Sequence, residues 1–345
     1  NSLLSALRGG SFFIMLVLAV GALATLCSLG ANAYVEIVWH TQVGYSSVFW
    51  KRVVWEWGVR IGVGIGVGWL VFLNLRVVAA KLTGIQIKRR FGNLEISEQI
   101  PRRYVLMGVL GISALLALWF GAGVPNNLGL QALLLSNASP WGMTDPILAH
   151  DVSFYVFWLP VLLNFLMFAL ILNFLVLSIV TAGYAATGGI RWGRGKFYVE
   201  DRARLHLAIL LAFFLVLMGV RFWFERYALL LNGTSGVSGI LGYTDAQARI
   251  PTLQTLTAIC SLSAVGVLWS AKKKLIALLI GSLVMTGLGV VLIGQVYPGF
   301  IQRFRVEPNE LESETPYIEF NLEFTRYGFG LAELERKSFE YEVDS

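Results

Sequence analysis

The 345-residue chain is 56% hydrophobic and only 14% charged, with a mean hydropathy of +0.68, values outside the range of water-soluble domains. Its net charge of +6 divides unevenly: residues 1–297 hold 22 bases against 10 acids, a net of +12, and residues 298–345 hold 5 bases against 11 acids, a net of −6. A soluble globular enzyme is thereby excluded, and the basic part points to anionic lipid head groups.

Seven apolar runs follow one another, at Phe12 to Tyr34, Ile61 to Leu75, Tyr104 to Val124, Val161 to Tyr184, Leu205 to Val220, Thr252 to Ala271 and Leu275 to Tyr297. Each approaches the ~20 residues that cross ~30 Å of hydrocarbon. In lipid the backbone must satisfy its own hydrogen bonds, and continuous runs without period-two alternation select helices over a closed barrel. The sequence therefore predicts an all-α membrane protein, a seven-helix transmembrane bundle over residues 1–297.

The first and sixth runs carry Cys27 and Cys260, apolar thiols with no disulfide framework. In the second, Gly58, Gly62 and Gly66 recur every four residues. Such a small-residue stripe lets a neighbouring backbone approach closely, so these three glycines are read as a helix-packing face. Gly64 and Gly68 alternate with them, but no strand precedes the run, so they form no dinucleotide fingerprint. Leu128 to Leu135 is apolar but too short to cross, and reads as a segment lying in the interface. In the fourth run Asn164 and Asn173 are nine apart, which at about 100° per residue places them on opposite faces. In the sixth, Gln254, Thr257 and Ser261 share one face, a polar stripe suited to hydrogen bonding with an adjacent helix more than to a solute.

The connecting segments fix an orientation. Arg76, Lys81, Lys88, Arg89, Arg90, Arg102 and Arg103 precede the third run, Arg191, Arg194, Lys196, Arg202 and Arg204 precede the fifth, and Lys272, Lys273 and Lys274 precede the seventh. With Arg8 these are 16 of the 27 basic residues. The positive-inside rule then puts the N-terminus in the cytoplasm and the C-terminus outside. Trp39, Trp50, Trp55, Trp57, Trp119, Trp141, Trp158 and Trp223 gather as an aromatic belt at the outer interface.

Chemistry is eliminated more than found. His40, His150 and His206 lie in different segments, and Asp145 and Asp151 beside His150 read as turn and cap residues. Gly195-Lys196 is followed by Phe197, so it is no phosphate loop. The pairs Glu56 with Arg60 and Arg221 with Glu225 are four apart and sit at the ends of their runs. No run carries an ionisable residue at its midpoint, so proton or sodium coupling is not expected. No catalytic, metal or cofactor site is predicted, and no cofactor.

After Tyr297-Pro298, Thr315-Pro316 reads as a cap followed by proline at the first position of a short helix through Tyr327. Phe339 to Val343 alternates like the start of a strand. Residues 298–345 are thus expected to begin an acidic extracytoplasmic domain of a longer protein. The same tail carries a resemblance. Val306-Glu307-Pro308-Asn309-Glu310, Glu314-Thr315-Pro316-Tyr317-Ile318, Asn321 and Thr325-Arg326 resemble the segment after the last span in the bacterial uncharacterised protein family 0182. Asp145-Pro146-Ile147, the stretch from Asp151 to Phe157, Leu159-Pro160, Glu225-Arg226-Tyr227 and the stretch from Gly242 to Asp245 are similar to that family's outer loops. The resemblance implies seven N-terminal spans and a large extracytoplasmic domain, and it supplies no catalytic residues.

The expected location is a bacterial cytoplasmic membrane, or a thylakoid in a cyanobacterium. The expected partners are membrane lipids, with anionic head groups at the cytoplasmic face, and another membrane protein complex, a photosynthetic one in a photosynthetic source. Nucleic acid is not expected, because the bases are spread over short loops. The sequence reading favours a scaffold, assembly factor or partner of a membrane or envelope complex. Its alternatives are a transporter or channel without an ion-coupled midplane site, and an enzyme on lipid-linked or envelope substrates acting through the outer domain.

Overall fold

The computed structural model describes residues 2–82, 86–91, 94–99, 101–193, 196–233, 239–331 and 334. Among them seven helical stretches are long and apolar enough to cross a membrane: Phe13–Gln42, Ser46–Lys81, Arg102–Ala122, Phe154–Ala186, Asp201–Leu231, Asp245–Lys273 and Ile276–Gly328. They are built on helices α1 (Ser2–Gln42), α2 (Ser46–Leu82), α3 (Arg102–Ala122), α5 (Leu159–Ala186), α6 (Asp201–Leu231), α7 (Ile250–Lys273) and α8 (Ile276–Leu288). The short helix α4 (Asn126–Ser136) follows α3. Single π-helical turns, Phe154–Trp158 and Asp245–Arg249, open the stretches that continue as α5 and α7.

Large apolar side chains cover the outside, with Leu118 75% and Ile65 69% exposed. A surface of this kind suits lipid and not water. The interior is made where helices meet. Val67, Val71 and Leu75 of α2 pack with Leu116 and Phe120 of α3, Val176, Val180 and Tyr184 of α5, and Leu210 of α6. A second seam joins Ala208, Ala212 and Leu215 of α6 to Ala264, Val267 and Ala271 of α7. Small residues there let the backbones come close, which is how helices associate where lipid removes the hydrophobic drive.

The basic connections fold as two antiparallel hairpins that hydropathy did not reveal. Strands β1 (Gln86–Phe91) and β2 (Leu94–Gln99) pair with Arg90 opposite Glu95. Strands β3 (Ile190–Gly193) and β4 (Lys196–Val199) pair with Arg191 opposite Tyr198. At this end Lys81 of α2 forms an ion pair with Glu200, and Lys274 reaches Asp201 at 3.0 Å.

The C-terminal part departs from expectation. The helix that starts at Ile276 does not stop at Tyr297-Pro298. A π-helical segment, Gly289–Val296, absorbs the approach to Pro298, and the chain continues through α9 (Tyr297–Ile301), a π turn at Gln302–Val306 and a 3-10 turn at Glu307–Asn309 into α10 (Glu310–Gly328). Pro316 therefore lies inside α10 and not at its first position. The break falls at Asn309, whose φ of −140° and ψ of 51° leave the helix, while the Thr315 hydroxyl donates back to the Leu311 carbonyl at 2.5 Å instead of capping. The strand expected at Phe339 to Val343 lies outside the described residues.

Candidate functional site

The alternating glycines of α2 present two opposite faces. A Cβ at Gly64 would lie 3.0 Å from the Ala117 carbonyl oxygen of α3, and one at Gly68 would lie 3.1 Å from the Ala117 Cβ. From the other side, a Cβ at Gly121 of α3 would lie 3.0 Å from the Arg60 carbonyl oxygen. Inside this chain the close approach thus belongs to Gly64, Gly68 and Gly121. The positions of Gly58, Gly62 and Gly66 meet no atom within 4 Å.

Gly62 and Gly66 instead form the floor of an open groove of about 450 Å³ between α2, α5 and α6, walled by Phe165, Leu172 and Phe213. Asn173 of α5 lines it and is only 6% exposed. Its Oδ1 has no hydrogen-bond partner among the described residues. An unmet amide oxygen in an apolar setting costs about 1–3 kcal/mol. Asn164, on the opposite face as expected from the spacing, faces α4, where its Nδ2 lies 3.3 Å from Gln131 Oε1.

Below the groove a polar chain joins three helices. The Asn74 Nδ2 donates to the Leu70 carbonyl at 2.8 Å, which leaves Asn74 Oδ1 to accept from His206 Nε2 at 3.0 Å. His206 Nδ1 lies 3.0 Å from the Tyr184 hydroxyl. A neutral His206 with its proton on Nε2 satisfies both contacts. Sequence spacing did not bring these three together, and a lone histidine near the start of an apolar run was the single signal.

The polar stripe of α7 is placed differently from a solute path. Thr257 Oγ1 lies 3.1 Å from the Gly219 carbonyl of α6, and Ser261 donates to the Thr257 carbonyl at 2.8 Å. Gln254 is on the exposed side. A buried tie that the sequence reading missed follows on the same helix, with Ser263 donating to the Ser282 carbonyl at 3.1 Å and Thr286 donating to Ser263 at 2.8 Å.

The end opposite the hairpins is closed by a polar cap. Asp145 accepts from the backbone N–H groups of Ile147, Leu148 and His150 and from the Tyr155 hydroxyl at 2.7 Å. Burial pushes its carboxyl up, but the Leu148 N–H, the Tyr155 hydroxyl and the other donors outweigh this and hold it below the usual range. Asp151 accepts from Trp141, Gly142 and Ser153. Bonding from the Ser153 side chain and these N–H groups lowers it to about 2. His150 stacks on Tyr227 at 4.9 Å, so it is spent on packing. The buried Arg226 guanidinium lies 3.6 Å from the Trp223 ring centre and donates to the Tyr227 hydroxyl at 2.7 Å. Helix α10 folds onto this end: Glu314 accepts from the Tyr243 N–H at 3.0 Å, and Gln247 donates to the Tyr317 hydroxyl at 3.2 Å. The residues that carried the resemblance thus lie in one cap at one end of the bundle.

Comparison with known proteins agrees. The profile of an uncharacterised protein family, UPF0182, matches residues 13–345. Curated relatives named UPF0182 protein include one from Desulforamulus reducens, 31% identical over 96% of this chain and 38% of its own. One from Micrococcus luteus is 29% identical over 97% of this chain and 32% of its own. Another from Trichodesmium erythraeum is 32% identical over 90% and 34%. The chain thus spans about a third of the length of these relatives. No solved structure matches it. The chain belongs to the uncharacterised protein family UPF0182.

Proposed function

We propose that this part of the protein is a membrane-embedded scaffold, which receives a transmembrane helix of a partner in the groove between α2, α5 and α6 and anchors an outer domain beyond α10. The observation that carries it is the groove itself, open to lipid and lined by Gly62, Gly66 and large apolar side chains. Glycine admits a partner backbone, and the apolar walls suit the side chains of a membrane-spanning helix. A solute path beside Gln254, Thr257 and Ser261 has less support, because Thr257 is occupied by the Gly219 carbonyl. In this reading the membrane is the bacterial cytoplasmic membrane, the hairpins and Lys272 to Lys274 contact anionic lipid heads on the cytoplasmic side, and the cap and residues 298–345 are extracytoplasmic.

Two measurements test it. Replacing Gly62 and Gly66 together by Leu fills the groove, and the amount of any membrane protein recovered with the full-length protein from mild detergent is expected to fall at least fivefold; unchanged recovery sinks the scaffold reading. Sidedness is checked by single-cysteine labelling in intact cells after replacing Cys27 and Cys260. An impermeant reagent is expected to label Tyr317→Cys and not Lys273→Cys, and the reverse pattern inverts the topology.

A further inference from the structure

A separate groove of about 420 Å³ lies at the hairpin end of the bundle, between α5, α6, the β3–β4 hairpin and the start of α8. Most of its wall is hydrocarbon: Leu177 of α5, Leu207 and Leu211 of α6, Leu279 of α8, and Ile190 and Val199 of the hairpin. Its mouth is charged. Arg204, in the first turn of α6, and Lys274, which follows α7, line it as well.

The two cations are held side by side. Arg204 Nε donates to the Ala271 carbonyl of α7 at 3.0 Å, which fixes the guanidinium plane, and its Nη2 donates to Asp201 Oδ1 at 2.6 Å. Lys274 closes α7 in the left-handed conformation, with a φ of 60°, and its Nζ donates to the second oxygen of the same carboxylate at 3.0 Å. Two cations thus share one acid, while the neighbouring acid, Glu200, is taken by Lys81. The other N–H groups of Arg204 and Lys274 have no hydrogen-bond partner among the described residues. The flanking Arg202, Lys272 and Lys273 are exposed and add positive charge.

An occupant of this groove must be an anion at one end and hydrocarbon along the rest. Leu211 lies seven residues past Arg204, about 10 Å further along the helix. With the charges at the membrane surface, that leucine stands within the acyl layer. Inorganic phosphate or an acidic peptide answers the charges and leaves the leucines uncovered, and a neutral lipid does the reverse. A zwitterionic phospholipid brings its own ammonium against Lys272, Lys273 and Lys274.

We infer that this groove holds one anionic phospholipid, its phosphate on Arg204 and Lys274 and an acyl chain against Leu207, Leu211 and Leu279. Basic pockets between membrane helices take anionic head groups in this manner. The inference sharpens the lipid contact of the proposed reading into a single site, and it depends on neither the scaffold role nor the sidedness.

The test uses the full-length protein in nanodiscs of equal parts phosphatidylglycerol and phosphatidylcholine, with tightly held lipid counted by native mass spectrometry. One phosphatidylglycerol per chain is expected to be retained, in preference to phosphatidylcholine by about fivefold or more. Lys274→Gln removes one exposed charge and is expected to lower that retention about fivefold, the worth of one basic group at a membrane surface. Thr181→Trp fills the groove from an exposed position on α5 and leaves both cations in place, and it is expected to lower retention as far. Asp201→Asn separates a lipid site from a plain ion-pair cluster. Freed of the carboxylate, Arg204 and Lys274 are expected to hold phosphatidylglycerol about fivefold more tightly, whereas cations that serve only Asp201 would show no gain. In detergent, phosphatidylglycerol is expected to raise the melting temperature and inorganic phosphate at the same concentration is not. Equal retention of the two lipids overturns the inference and leaves general lipid contact standing. Retention unmoved by both Lys274→Gln and Thr181→Trp, or an equal shift from phosphate alone, overturns it too.

Discussion

Gly64→Leu is expected to lower the stability of the detergent-solubilised protein by about 3 kcal/mol, while Gly62→Leu, two residues away, leaves it within about 0.5 kcal/mol. The difference comes from what each side chain would meet. At Gly64 the first added carbon already lies 3.0 Å from the Ala117 carbonyl oxygen and 3.8 Å from the Gly121 Cα, both backbone atoms that cannot rotate away. A leucine there forces α2 and α3 apart along the seam that also seats Val67, Val71, Leu116 and Phe120. At Gly62 nothing lies within 4 Å. Thermal unfolding followed by tryptophan fluorescence gives the comparison, and equal losses at the two positions would mean that α2 is rotated from the orientation described.

That contrast also marks how far the sequence could be read. A run in which every second residue is glycine, Gly62 to Gly68, offers equivalent small faces on both sides of the helix, so the spacing identifies a close contact without saying which side receives α3. Span positions were legible because about twenty apolar residues have few alternatives to a crossing helix. Their ends were less so. Helix α2 begins at Ser46, well before the apolar run at Ile61, because Arg52, Glu56 and Arg60 prolong it with an ion pair at 3.0 Å between Glu56 and Arg60 and another between Arg52 and Glu36. The continuation past Tyr297 was hidden in the same way, since Pro298 reads as a stop unless a π-helical segment precedes it. The Asn74, His206 and Tyr184 chain was not legible, because His206 is 132 positions from Asn74 and no periodicity links them. The cap was half legible: Asp145 and Asp151 carry turn chemistry in their spacing, whereas the docking of Glu314 and Tyr317 onto Tyr243 and Gln247 depends on the break at Asn309.

The cap gives the other large effect. Asp145→Ala removes one acceptor group that serves the N–H groups of Ile147, Leu148 and His150 and the Tyr155 hydroxyl. Tyr155 is 4% exposed, so its hydroxyl cannot turn to water without moving. Bonds to a charged acceptor and the stranding of buried donors together set the cost at about 3 kcal/mol. Tyr155→Phe removes a single bond and is expected to cost about 1 kcal/mol, with Asp145→Asn between the two because its one remaining oxygen still accepts. The same bonds predict the response to acid. Asp145 and Asp151 both have carboxyls held below their ordinary value of 3.8, Asp151 at about 2. Folding therefore favours the charged forms, and this contribution is fully present above the unfolded value and lost as pH falls through the folded one. The cap should be indifferent between pH 7 and pH 5 and loosen from about pH 4 towards pH 2, read as quicker hydrogen exchange at the Ile147, Leu148 and His150 amides, after correction for intrinsic exchange at each pH. In Asp145→Ala those amides should exchange freely at pH 7 and lose most of the acid step. A cap that keeps its protection through pH 2, or an Asp145→Ala protein that unfolds like the parent, would show that the carboxylates decorate this end of the bundle without holding it.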